Sequence, residues 1–410
     1  MPPSHPGKPL TPIEAAIPPL LQSLPQMLEV EAVPMEQALG RIVGSDVAAP
    51  INVPPHANSA MDGYALRAAD SQGARGLVQV SQRIAAGQVG EPLQAGTAAR
   101  IFTGAPLPPG ADAVVMQENT RAEDEAISIL QAVVPGENVR AAGEDIVAGA
   151  KLFGEGRRLR PQDIGVLASV GLTRVTVRRA LRVALLVTGD ELVPPGTELK
   201  LGQIYNSNNY TIAALLRNLG AEVIEMGVVG DEFNTTQSVL KTAAEQVDVI
   251  ISTGGVSVGE EDHVKPAVES LGGLDMWKLA IKPGKPFASG KVCGKQFFGL
   301  PGNPVSAFVT FVLLVRPALL SMQACDRPFS DWIDVPAGFD RAQCGERQEY
   351  IRVTLGRNAE DGLSLKPLDN QSSGVGASLS VADGLAIIPP HTAVAEGDKL
   401  RYLSFAELTN

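Results

Sequence analysis

Only three cysteines occur in 410 residues, Cys293, Cys325 and Cys344, and no two of them stand at the spacing of a metal or thiol–disulfide pair. A disulfide scaffold is therefore excluded, and the usage fits a reducing compartment. Histidines number four, and neither His56 nor His263 has a histidine neighbour at ligand spacing, so zinc is unsupported. Long hydrophobic runs are missing as well. The strongest, Phe308 to Val315, stops at Arg316-Pro317, far short of the ~20 residues that span a bilayer. Residues 1–9 lack the apolar core of a signal peptide, so a soluble cytoplasmic protein is expected. Positive charge is scarce: 34 Lys and Arg stand against 45 Asp and Glu, a net charge of -11. Broad binding to nucleic acid or to an anionic membrane is not expected of such a surface. Any anionic ligand must be held by a local basic pocket.

What is present is an ordinary globular composition, 44% hydrophobic and 19% charged, whose length predicts about two to four domains. The 42 glycines and 31 prolines are spread along the chain and mark turns. Thr11-Pro12-Ile13-Glu14 reads as a capped helix start, with a stop expected near Pro18-Pro19. Between 45 and 145, β-like runs at Gly76–Gln82, Thr97–Thr103, Ala113–Gln117 and Ile127–Val134 alternate with Pro/Gly turns and predict a compact β unit. A helix is expected from Pro161. Residues 180–324 alternate strand and helix, with strands at Val183–Val187, Glu222–Val228, Val247–Ser252, Met276–Ile281 and Gln296–Leu300. These strands are nearly continuous apolar runs, as parallel strands covered on both faces are, and predict a doubly wound α/β domain. Residues 325–410 return to β signals and read as a small β domain.

In a doubly wound sheet, ligands lie beyond the carboxyl ends of the strands. Three polar loops fall there: Thr188-Gly-Asp-Glu191, Gly230-Asp-Glu232 and Thr253–Asp262. Small residues let backbone N–H groups approach phosphate, and carboxylates on adjacent loops can hold Mg²⁺. Any one loop alone is ordinary turn chemistry; three at one edge point to a phosphate–metal site. Lys278, Lys282 and Lys285 cluster in Trp277–Phe287, and Leu300-Pro-Gly-Asn-Pro-Val-Ser306 opens a helix whose N–H groups would suit a small oxyanion. The spacing is not that of a P-loop. Asp62 and Thr103 in the β unit, and Asp145 beside it, read alone as turn or surface residues.

Taken in order, these segments resemble the MoeA-type molybdopterin molybdenumtransferase family, which includes the C-terminal domain of gephyrin. The resemblance runs from Ala38-Leu-Gly-Arg-Ile-Val through Asn58-Ser-Ala-Met-Asp-Gly-Tyr-Ala, Ile101-Phe-Thr-Gly-Ala, Gly143-Glu-Asp-Ile, Thr188-Gly-Asp-Glu-Leu and Gly202-Gln-Ile-Tyr-Asn-Ser-Asn. It continues through Gly254-Gly-Val-Ser-Val-Gly and Ile281-Lys-Pro-Gly-Lys-Pro to Leu300-Pro-Gly-Asn-Pro-Val-Ser. One departure is His56-Ala57, where the family usually has Phe-Asp.

The resemblance implies the last step of molybdenum cofactor synthesis, a Mg²⁺-dependent reaction of adenylylated molybdopterin with molybdate that releases AMP. It implies an elongated homodimer of four subdomains: a discontinuous one from 1–44 and 146–179, the inserted β unit 45–145, the α/β domain 180–324 and a C-terminal β domain 325–410. The active site would lie between the α/β domain of one copy and the β unit of the other. Position by position, Asp62, Thr103, Asp145 and Glu191 carry over as catalytic residues, and Glu191, Asp231 and Asp262 as the Mg²⁺ site. Asp231, Ser257, Lys278, Lys282, Lys285, Pro301, Pro304, Ser306, Arg352 and Ser373 carry over as substrate contacts. Lys282, Lys285, Ser306, Arg352 and Ser373 would take molybdate. Transient contact with the adenylyltransferase and with molybdoenzyme chaperones is also implied. Three rival readings remain at this point: the adenylyltransferase itself, a non-catalytic gephyrin-like scaffold, and a tungstate-handling relative.

Overall fold

Strands that are apolar on both sides need cover on both sides, and residues 182–300 obtain it. The computed structural model describes residues 10–72, 77–255, 263–343, 345–357 and 362–409. The central sheet has six strands in the order Glu222–Val229, Arg182–Thr188, Val249–Thr253, Lys295–Leu300, Pro286–Val292 and Gly272–Lys278. Val183, Leu185, Val249 and Ile251 face one core, together with the helices Ile13–Ser23, Ser207–Asn218, Pro304–Thr310 and Arg316–Met322. Ala184, Leu186 and Ile250 face the other, against the helices Phe233–Gln246 and Val264–Leu271. Each fully buried aliphatic side chain in these layers contributes about 1.5–3 kcal/mol.

Only the first four strands are parallel, so the sheet is mixed. Pro286–Val292, which the sequence reading does not resolve as a strand, runs antiparallel to both of its neighbours. Its return comes through Cys293 and Gly294, with φ of 48° and 82°, a two-residue turn with both central residues left-handed. The expected strand Met276–Ile281 is instead Gly272–Lys278, followed by a separate short strand, Ile281–Lys282.

The first helix, Ile13–Ser23, runs through Pro18 and Pro19 instead of stopping there. Both prolines are exposed, while Ile13 and Leu20 are buried in the central core. That burial offsets the roughly 3 kcal/mol cost of an interior proline. Thr11 does not cap this helix; its N–H donates to the Lys278 carbonyl at 2.8 Å. The helix predicted from Pro304 also continues past a proline, Pro317. The turn before it widens to a π-helix over Phe311–Val315, which accommodates the missing N–H and the ring. As a whole, Pro304–Met322 is long and apolar enough to cross a membrane, yet 89% of it is buried inside the protein. It is a core helix.

A second six-stranded sheet runs Ala113–Met116, Gly63–Leu66, Thr97–Ile101, Leu77–Ile84, Ala126–Ile129, Thr120–Glu123. On either side of it in sequence, Val30–Pro34 pairs antiparallel with Arg174–Arg178, which brings two distant segments of chain together. A third sheet runs Ile281–Lys282, Gln348–Arg357, Gly384–Ile388, Lys399–Ser404, Ile333–Pro336, with Leu363–Pro367 paired to Gln348–Arg357. Its first pairing is parallel, Ile281 opposite Gln348 and Lys282 opposite Glu349, and it joins the lysine turn to the C-terminal sheet.

Candidate active site

The four parallel strands end at Thr188, Val229, Thr253 and Leu300, and the loops after Thr188, Thr253 and Leu300 frame one side of a cavity of about 660 Å³. Glu191, Asn208, Thr253, Pro301, Pro304 and Ser306 are among its lining residues. Gly254 and Gly255 have φ of 86° and 65°, and a Cβ on Gly255 would lie 2.2 Å from Val264 Cγ2. The paired glycines are therefore required for the strand to turn past Thr188. Thr253 Oγ1 and the neighbouring Ser252 Oγ are buried without a hydrogen-bond partner among the described residues. A buried hydroxyl left unmatched costs free energy unless a ligand completes it. Asn208, which donates to the Gly302 carbonyl at 2.7 Å, was not singled out from sequence, nor was Thr253 as an individual contact. Their signals were the Asn206–Asn209 run and the start of the glycine loop.

At the rim, the Asp231 N–H donates to Asp190 Oδ1 at 3.1 Å and the Asp190 N–H to Asp231 Oδ2 at 3.4 Å. Partial burial raises the Asp231 pKa above the ordinary aspartate value, and the charges of Asp190 and Glu191 push it the same way. The Asp190 N–H and the charge of His263 oppose them. Asp190 is thus a member of this cluster that sequence reasoning passed over in favour of its neighbour Glu191. Among the described residues no three carboxylate, histidine or cysteine groups converge on one metal position. Asp262 and Ser257 lie outside the described residues.

Opposite, the helix from Pro304 begins against the C-terminal sheet. The Val305 N–H donates to the Ser373 carbonyl at 3.0 Å, which sets Ser373 beside the 5%-exposed Ser306. The same loop is held from behind by Arg352, which is 0% exposed. Its Nη2 donates to the carbonyls of Asn370 at 2.9 Å and Ser372 at 3.2 Å, while Nε and Nη1 have no partner among the described residues. Burial lowers its pKa, as it must for a guanidinium without a counter-charge. Ser306, Arg352 and Ser373, far apart in sequence, are thereby gathered around one loop.

The lysine turn is closed by the Leu279 N–H donating to the Lys285 carbonyl at 2.7 Å. Gly284 has φ of 105°, and a Cβ there would meet Thr310 Oγ1 at 2.7 Å. Lys278 and Lys285 are exposed, and no salt bridge forms from either among the described residues. Lys282 is different, because its Nζ lies 3.1 Å from Glu349 Oε1.

On the second sheet, Asp62 Oδ1 accepts from the Thr103 N–H at 2.8 Å and from Thr103 Oγ1 at 2.7 Å. These two bonds hold the Asp62 pKa below the ordinary value. Asp145 is exposed, and its N–H donates to the Val53 carbonyl at 2.9 Å. Among the described residues no hydrogen bond or ion pair links Asp62, Thr103 or Asp145 to Glu191 or Asp231 within the chain.

Three family models match in succession: the MoeA N-terminal region (domain I and II) over residues 11–171, a probable molybdopterin binding domain over 184–321, and the MoeA C-terminal region (domain IV) over 334–405. A molybdopterin molybdenumtransferase of Haemophilus influenzae is 43% identical over 74% of this chain and 76% of its own length. Molybdopterin molybdenumtransferase 2 of Mycobacterium tuberculosis is 36% identical over 90% of this chain and 93% of its own. Among solved structures, a molybdopterin biosynthesis moeA protein of Pyrococcus horikoshii covers 97% of this chain and 100% of its own, at 29% identity and a TM-score of 0.81. With the ordered motifs, the mixed central sheet and the three successive matches in agreement, the chain belongs to the MoeA family of molybdopterin molybdenumtransferases.

Proposed function

We propose that this protein acts in molybdenum cofactor biosynthesis as a molybdopterin molybdenumtransferase, taking adenylylated molybdopterin and molybdate and releasing AMP. The observation that carries the reading is Arg352. A guanidinium that is 0% exposed, with two nitrogens unpartnered and no salt bridge among the described residues, calls for an anion. The loop it holds meets a helix N-terminus at the wall of the 660 Å³ cavity. Molybdate is a tetrahedral dianion, and guanidinium, ammonium and helix N–H groups are the donors that suit it. The cavity wall from Thr188 to Pro304 would take the pterin, with Thr253 and Asn208 supplying polar contacts.

Mg²⁺ would sit at Glu191, Asp231 and Asp262. The donors fit: they are hard oxygens, and Asp231, whose pKa is raised first by partial burial and then by the charges of Asp190 and Glu191, holds negative charge that a cation would offset. Bound there, the ion would offset charge on the phosphoanhydride as it breaks. Asp62, Thr103 and Asp145 would reach this chemistry from the second copy of a homodimer, since no hydrogen bond or ion pair among the described residues joins them to Glu191.

Purified protein, adenylylated molybdopterin, Mg²⁺ and molybdate form the test. AMP release that depends on molybdate is the expected result, and release that ignores molybdate sinks the reading. Consumption of ATP with unmodified molybdopterin would assign the adenylyltransferase instead, and silence in both assays the scaffold.

A further inference from the structure

Glu349 is a buried carboxylate, 6% exposed, placed between two cations from different parts of the chain. Lys282 Nζ lies 3.1 Å from Oε1, and the Arg341 guanidinium donates to Oε2. Lys282 comes from the segment that joins the central-sheet strands Gly272–Lys278 and Pro286–Val292, and Glu349 from the longest strand of the C-terminal sheet. They are register partners in the short parallel pairing that joins the two. The three side chains line a cavity of about 260 Å³ together with Gln371 and Ser372. Gln371 is fixed in turn: its Oε1 accepts from the Arg352 N–H at 2.9 Å and its Nε2 donates to the Arg352 carbonyl at 2.8 Å. The Arg352 side chain holds the Asn370–Ser372 loop from the other face of the same strand, and that loop contributes Gln371 and Ser372 to the cavity that Lys282 and Glu349 line.

The side chain of Lys282 is 50% exposed. A lysine so exposed ordinarily samples many rotamers, and an incoming anion must then supply the free energy of ordering it. Here the ordering is already done. Glu349 takes one of the three ammonium hydrogens and leaves two for another acceptor. Arg341 holds the carboxylate from its other oxygen, so Glu349 itself has little freedom.

We infer that Glu349 is the positioning residue of the oxyanion subsite, pre-ordering Lys282 for molybdate; this rests on the function proposed above. Glu349 does not touch the reacting atoms in this arrangement. Its effect passes through Lys282 and falls on molybdate alone, leaving the pterin wall unaffected.

Two measurements on the full-length protein test it: AMP release against molybdate concentration, and equilibrium dialysis of inorganic molybdate without pterin. Glu349→Gln keeps the volume and removes the charge. It should raise the KM for molybdate and its dissociation constant about tenfold, with kcat within about twofold and the KM for adenylylated molybdopterin unchanged. Glu349→Asp, which keeps the charge and permits Lys282 to follow it, should recover most of that loss. If Gln leaves molybdate affinity unchanged or strengthens it, or if Asp is as impaired as Gln, the inference is overturned. Should Glu349→Gln fail to fold, the Asp variant decides, a tenfold loss in it being the contrary result. Molybdate that binds wild type and weakens in Glu349→Gln, in a protein releasing no AMP, would uphold the subsite and overturn the proposed reaction.

Discussion

Asp62 holds Thr103 by both its backbone and its side chain, through one carboxylate oxygen at 2.8 and 2.7 Å. The two residues lie 41 positions apart, and the pairing fixes the turn after the strand Thr97–Ile101 against the turn before Gly63–Leu66. Behind it, Arg100 donates to the Gly63 carbonyl at 3.0 Å and lies 4.7 Å from the Phe102 ring. An exposed pair supported in this way is built for position rather than for stability.

Thr103→Val keeps the backbone bond and deletes the hydroxyl. Turnover should fall about tenfold to a hundredfold, the usual effect of loosening a positioned group, with the melting temperature unchanged. Thr103→Ser should restore most of the rate. Steady-state AMP release and a thermal melt together check this; a melt shifted in proportion to the lost rate would make the pair merely structural.

Asp231 carries a pH signature. Its folded pKa lies above the 3.8 of the free side chain, so the folded state binds the proton more tightly than the unfolded one. Its charge therefore opposes folding. The penalty is absent below the ordinary aspartate range, grows as pH rises through the folded pKa, and is fully present at neutral pH. Asp231→Asn should melt at a higher temperature than wild type at pH 7 and at the same temperature at pH 3, while losing activity. Mg²⁺ should raise the melting temperature of wild type and not of the variant. Equal Mg²⁺ shifts in both would remove Asp231 from the metal site.

Arg352→Lys keeps a charge but loses the planar fork, and with it the bonds that hold Asn370 and Ser372. A hydrogen bond to a charged group is worth about 1.5–3 kcal/mol, so molybdate affinity should fall by more than tenfold. Saturating molybdate at 100 times the dissociation constant stabilises wild type by about 2.7 kcal/mol, which a thermal shift detects. At that concentration a tenfold weaker variant keeps about 1.4 kcal/mol, so its shift should be no more than about half that of wild type; an undiminished shift would place the anion elsewhere.

The proposed division of the site between two copies of a homodimer has its own test. Asp62→Asn and Glu191→Gln homodimers should each be nearly inactive. Co-expressed, they form hybrids in which one site carries both defects and the other neither. At random pairing half of the dimers are hybrids with one intact site of two, so about a quarter of wild-type activity returns. No recovery in isolated hybrids would put each site within a single chain.

The inner parallel strands Arg182–Thr188, Val249–Thr253 and Lys295–Leu300 were legible because they are buried on both faces and so read as apolar runs. Pro286–Val292 was not, because Pro286, Gly290 and Lys291 read as turn residues. Gly290 is there for sterics: a Cβ would lie 2.2 Å from the Gly273 carbonyl oxygen of the neighbouring strand. The helix through Pro18 and Pro19 escaped for the opposite reason, tertiary burial overriding a local stop signal. At the site, the loops at the strand ends were legible from spacing, whereas Asp62, Arg352 and Ser373 were named only through resemblance. Chain separation hides such contacts, and a lone glutamate such as Glu349, near the start of a strand, gives no sequence signal of the two cations that converge on it.

The most direct measurement follows both products at once in the reconstituted reaction with wild-type protein: AMP released, and molybdenum bound to the pterin product. The expected result is one molybdenum inserted for each AMP released, with neither formed when molybdate or Mg²⁺ is withheld. AMP released at the same rate without molybdate, or molybdenum inserted without AMP, would contradict the assignment of this chain as the molybdenum-inserting transferase.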